Sequence, residues 1–185
     1  MSGRVRIRLR GSPLYRIYLD TNFLIYALYS KRDPGKSKMA RGILKKIKLG
    51  IYRGVISKLV LMEMTSALRK AIFGNPEEEN PSLDDIQTII ESIILSLLTI
   101  KNIELFESKQ VLPELELAAF LLMYKFPGEV RNNKYRFLHP LDALHVILAK
   151  EAKCDAIYTA DRAFNQVKSE IHIKLLGHGN ISSQG

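Results

Sequence analysis

The chain has one cysteine, Cys154, among its 185 residues. No internal disulfide can form, so the expected setting is a reducing compartment, the cytoplasm. It has no apolar run of membrane-spanning length. The longest, Ile86 to Ile100, falls short of the ~20 residues a span requires and is broken by Gln87 and Glu91. No secretory signal fits the amino terminus, because Arg4, Arg6, Arg8 and Arg10 interrupt any apolar core there. A soluble protein is expected, with no membrane partner. The sequence has neither a Gly-rich phosphate loop nor a nucleophile elbow, which removes the machinery of nucleotide and serine hydrolases. His139, His145, His172 and His178 make no zinc pattern, and a lone cysteine excludes a zinc ribbon. Acidic residues are the scarcer charge, 19 against 28 basic ones, for a net +9. That excess favours polyanionic partners such as nucleic acid, without setting specificity.

What is present is ordinary globular material: 46% hydrophobic and 25% charged residues, in a length that suits one domain. Residues 1–13 read as a basic strand or arm, with arginines 4, 6, 8 and 10 on one face and Val5, Ile7 and Leu9 on the other. Two readings stand side by side there, a charged edge strand and a cationic arm for RNA or an acidic partner. Strands are predicted at Tyr15 to Leu19, Tyr52 to Ser57, Ile103 to Phe106, Ala156 to Thr159 and Ile171 to Lys174. Helices are predicted at 22–29, 37–49, 58–72, from Ser82 onward, at 113–124, 140–153 and 162–167, with loops at 74–81 and 128–136. Residues 14–176 then form one domain, followed by a polar tail, 177–185. Strands alternating with helices imply a three-layer α/β/α sandwich around a mainly parallel sheet.

Four acids draw attention by position. Asp20 ends the apolar run Ile17-Tyr18-Leu19, and Asp161 follows the strand-like Ala156-Ile157-Tyr158-Thr159. Glu63 lies on the helix after Ser57, and Asp142 follows Pro140 at the head of another helix. Singly, each has a plain explanation: Asp20 and Asp161 as helix caps, Asp142 as a complement to the helix dipole, Glu63 as a surface residue. Together they would meet at one edge of a parallel sheet, where ligands bind. Carboxylates gathered there repel one another, and a hard divalent cation is the natural compensation. Thr21, Asn22, Ser57 and Thr159 supply hydroxyl and amide groups suited to orienting the ligands. His145, one helical turn from Asp142, reads as packing or a local hydrogen bond.

These residues carry a family resemblance. Ile17-Tyr18-Leu19-Asp20-Thr21-Asn22-Phe23-Leu24-Ile25 resembles the opening motif of the PIN domain, the fold of VapC-type toxin ribonucleases. Val55-Ile56-Ser57 with Glu63, Leu141-Asp142-Ala143-Leu144-His145, and Tyr158-Thr159-Ala160-Asp161-Arg162-Ala163-Phe164 are similar to its second, third and fourth motifs. The likeness spans about Tyr15 to Lys174, with the loop 74–81 and the segment 126–139 resembling insertions. It implies that Asp20, Glu63, Asp142 and Asp161 are catalytic and hold Mg²⁺ or Mn²⁺, with Asp20 and Asp142 nearest the ion and Asp161 beside them. The implied activity is hydrolysis of RNA phosphodiester bonds by metal-activated water. The implied partners are RNA, an antitoxin protein and a second copy of the chain. An RNA-processing factor, a catalytically silent binding module and a structural protein with helix-capping acids are the competing readings.

Overall fold

A computed structural model describes residues 14–29, 33–73, 82–131 and 134–177. The basic segment 1–13, the loop 74–81 and residues 178–185 of the tail lie outside the described residues. In chain order the elements are β1 (Tyr15–Leu19), α1 (Thr21–Leu28), α2 (Pro34–Lys48), β2 (Tyr52–Ser57), α3 (Lys58–Phe73), α4 (Leu83–Leu98), β3 (Ile103–Phe106) and α5 (Leu112–Lys125). There follow β4 (Glu129–Arg131), β5 (Lys134–Arg136), α6 (Pro140–Glu151), β6 (Ala156–Thr159), a 3-10 turn (Arg162–Val167) and β7 (His172–Leu175).

Five strands form one sheet in the order β3-β2-β1-β6-β7, every pair parallel. Helices flank it, giving the expected three-layer sandwich. β1 is central, so it is covered on both faces and must be apolar throughout: Ile17, Tyr18 and Leu19 are fully buried. Edge strand β7 alternates exposed His172 and Lys174 with half-buried Ile173 and Leu175. The chain steps outward from β1 to β2 and β3 on one side, and from β6 to β7 on the other. The sheet order therefore reverses between β1 and β6, and the crevice beyond their carboxyl ends is where Asp20 and Asp161 emerge.

Three local features depart from the sequence expectations. Residues 128–136 contain a hairpin instead of a loop, β4 pairing antiparallel with β5 in the register Val130↔Tyr135. Each strand has only three residues, too few for its alternation to stand out from a polar stretch. Gly128, at φ 105°, supplies the backbone conformation that leads into it. Helix α2 begins at Pro34, because Asp33 caps it by accepting the Lys36 N–H at 2.9 Å and proline suits the first turn. Residues 162–167 form a 3-10 turn, not an α-helix. The α4 start is as expected, with Ser82 and Asp85 forming a reciprocal capping box. Along α4, Ile86, Ile90 and Leu97 are buried, while Ile89 and Leu98 are partly exposed. Among the described residues no helix is long and apolar enough to cross a membrane.

Gly54 is closely packed within the sheet. A Cβ added there would stand 3.2 Å from each of Ile103, Ile47 and Leu19 side-chain carbons. Gly54→Val overfills that space and is expected to cost roughly 1–3 kcal/mol of stability, read from urea unfolding.

Candidate metal centre

The end of β1 places the first carboxylate. Asp20 continues the ladder through its N–H to the Tyr158 carbonyl at 3.1 Å, then turns the chain into α1. Its side chain makes no capping bond; it accepts instead from the Thr159 hydroxyl at 2.7 Å and is only 3% exposed. The same Thr159 oxygen accepts the Asp161 N–H at 2.9 Å, so one buried hydroxyl links the ends of β1 and β6. Asp161 does cap, its Oδ1 accepting the Ala163 N–H at 2.8 Å. Asp142 also serves its own helix, accepting the His139 N–H at 3.2 Å. Glu63 reaches across from α3, where its Oε2 accepts the Thr21 hydroxyl at 2.6 Å. Thr21, Ser57 and Thr159 are buried and take part in this network, whereas Asn22 is exposed and joins none of these bonds.

The residue that sequence reasoning underweighted is His145. It is 1% exposed, and its Nε2 stands 2.8 Å from Glu63 Oε2 and 3.8 Å from Asp20 Oδ1. Its Nδ1 meets the Tyr18 hydroxyl at 2.9 Å, and that hydroxyl lies 2.7 Å from Ser57 Oγ. Ligand atoms of Asp20, Glu63 and His145 all lie within 4.8 Å of one another. The structure thus gathers Glu63 and His145 most closely about Asp20. Asp142 lies outside that trio and is coupled by charge to Asp20 and His145, and Asp161 in turn acts by charge on Asp142. The available signal was the three-residue spacing of Asp142 and His145, which puts both on one face of α6.

Residues 17–170 match the family model of the PIN domain. The chain belongs to the PIN domain family. No curated protein matches it. Among solved structures, it is similar to VapBC2 from Rickettsia felis, a crystal structure bound to a DNA fragment from their promoter. That likeness has a TM-score of 0.55 at 14% identity and covers 86% of this chain and 98% of the other. It is also similar to VapC20 of Mycobacterium tuberculosis, described as a sarcin-ricin loop cleaving toxin. There the TM-score is 0.50 at 20% identity, covering 80% and 92% of the respective chains. At such identities these two likenesses speak for the fold.

The PIN site is electrostatically loaded. Burial, reinforced by the charges of Asp161 and Asp20, pushes Asp142 up to about 6. Burial also raises Asp20, against the opposing effects of His145 and the Thr159 hydrogen bond. Burial acts upward on Glu63 too, but its bonds to His145 and Thr21 outweigh it and leave that carboxyl below its ordinary value. For His145, burial works against the charged form, and the Glu63 bond with the Asp20 charge overcomes it. The Glu63 pairing therefore favours the protonated form of His145, whose charge counters that of the acids. The donor set suits a divalent ion, since buried carboxylates in mutual repulsion gain most from added positive charge.

For Asp142 the folded value lies above the unfolded one, so its ionisation opposes folding. The penalty is complete above about pH 6 and vanishes below about 3.8, where both states hold the proton. Asp142→Asn is therefore expected to stabilise the metal-free protein at pH 7.5 by about 1–2 kcal/mol after screening. The gain should shrink towards zero at pH 4, as checked by thermal melts in EDTA.

Proposed function

We propose that this PIN domain is a metal-dependent endoribonuclease that hydrolyses RNA phosphodiester bonds, in the manner of a VapC-type toxin. The observation that supports the reading is the gathering of Asp20 and Glu63 with His145 at the sheet's switch point, with Asp142 coupled to Asp20 and Asp161 by charge and both Asp142 and Asp20 held above their ordinary values. Asp20, Glu63, Asp142 and Asp161 are the catalytic acids of the proposal, and they would hold Mg²⁺ or Mn²⁺. Such an ion, when bound, supplies Lewis acidity and lowers the pKa of coordinated water. The chain's own groups hold that arrangement in place: Thr159 fixes the Asp20 rotamer and Thr21 fixes Glu63. The net charge of +9 serves the approach of a phosphate backbone. The toxin role, with an antitoxin as partner, draws support from the fold likeness to VapBC2 and VapC20.

The test is cleavage of a mixed pool of single-stranded and structured RNAs with Mg²⁺, Mn²⁺ or EDTA. Wild type should cut only with metal, and Asp20→Asn should lose at least roughly a hundredfold in rate while melting normally. RNA binding without cutting by the wild type would instead favour a silent binding module.

A second copy of the chain is part of the same proposal. Helix α5 is apolar on two sides. Leu115, Ala119 and Leu122 are buried, while Leu117, Phe120, Leu121 and Tyr124 form a second stripe and are 57–80% exposed. Such a stripe on a described surface marks an interaction site. An antiparallel pairing of two α5 helices about a twofold axis between Phe120 and Leu121 would set Leu117 against Tyr124 and Phe120 against Leu121. It also brings Glu116 opposite Lys125, so the charges at the rim complement one another. Leu121→Lys should convert a dimer to a monomer in sedimentation equilibrium with the melting curve of the fold retained. A monomeric wild type would leave the stripe to an antitoxin.

A further inference from the structure

We infer that His145 is a nitrogen ligand of the metal centre, beside Asp20 and Glu63, and that it gives the site a preference for Mn²⁺ over Mg²⁺. The inference rests on the metal-dependent reading above and adds to it a ligand that the acidic quartet does not contain.

Position is the first argument. Nε2 of His145 lies 2.8 Å from one Glu63 oxygen and 3.8 Å from one Asp20 oxygen, in a set of ligand atoms all within 4.8 Å of one another. The cis ligand atoms of an octahedral ion bound at ~2.1 Å are about 3 Å apart, so these separations suit a shared ion with small adjustments. Glu63, with 24% of its side chain exposed, leaves the trio open on one side, where an ion can enter.

Orientation is the second. Ligating histidines characteristically give their other ring nitrogen a hydrogen-bond partner that fixes the tautomer. Here Nδ1 faces the Tyr18 hydroxyl at 2.9 Å, and Tyr18 in turn faces Ser57 Oγ at 2.7 Å. With Nδ1–H donating to Tyr18 and Tyr18 donating to Ser57, Nε2 is the ring nitrogen turned to Glu63 and Asp20, and an ion bound there would take the place of its proton. Tyr18 and Ser57 are both buried, so the ring has no room to swing out. Ligand chemistry then sets the metal. Mg²⁺ favours oxygen donors and sheds water reluctantly, while imidazole suits the first-row transition metals. Replacing one oxygen ligand by nitrogen therefore shifts the balance to Mn²⁺.

A purely structural histidine, holding its Nε2–H on Glu63, would use the same contacts without touching the ion. The two roles separate in pulsed EPR of Mn²⁺ bound to the full chain after EDTA treatment and dialysis. Direct ligation predicts nitrogen modulation that changes with ¹⁵N-histidine labelling of the wild type, a version needing no substitution. The modulation should vanish in His145→Ala and persist in His139→Ala, which controls for the histidine at the head of α6. Calorimetry should show the Mn²⁺/Mg²⁺ affinity ratio falling at least ~tenfold in His145→Ala. Bound Mn²⁺ without histidine modulation, or modulation surviving His145→Ala, would overturn the inference and leave the metal-nuclease reading standing. Failure of the wild type to bind either ion would remove both.

Discussion

Carboxylate repulsion in a crevice with little water is the constraint around which this domain is arranged. β1 is covered on both faces, and its last buried residue, Leu19, hands the chain directly to Asp20, itself 3% exposed. A lone carboxylate there would be expensive. The protein offsets the cost in two ways, a hydroxyl from Thr159 and the charge of His145, while the neighbouring carboxylate of Glu63 adds to it. Asp142, buried beside Asp161 and Asp20, stays near 6. The crevice lies at the sheet's switch point, where no strand needs the space.

Much of this was legible in the chain itself, for a simple reason. A buried strand in a parallel sheet must be continuously apolar, so an acid that closes such a run is conspicuous. Asp20 after Ile17-Tyr18-Leu19 and Asp161 after Ala156-Ile157-Tyr158-Thr159 both announce themselves that way. His145 does not. Its neighbours Ala143, Val146 and Ala149 are core residues, and a histidine among them reads as filler. Its meaning depends on Tyr18, 127 residues away, and on Ser57, which lies 39 residues from Tyr18. Contacts at those separations leave no local periodicity to detect. The β4–β5 hairpin escaped notice for the opposite reason: the pattern was local but only three residues long on each side.

The positive charge is unevenly placed as well. Helix α2 carries Lys36, Lys38, Arg41, Lys45, Lys46 and Lys48 with no acid between Pro34 and Lys48. Those in its last turn complement the helix dipole. Lys38, Arg41 and Lys45 are exposed and recur at helical spacing, so they form a basic ridge.

The link from Tyr18 through Ser57 and His145 also bears on how such a sequence can change over evolutionary time. Three polar groups on β1, β2 and α6 satisfy one another inside an apolar core. Exchanging Tyr18 for a hydrocarbon leaves both the Ser57 hydroxyl and His145 Nδ1 without that partner, at a cost larger than the loss of a single hydrogen bond. Drift at positions 18, 57 and 145 is therefore coupled: they form an epistatic unit. Lineages that keep a tyrosine on the first strand should keep the histidine, and those that lose one should have shed the set together.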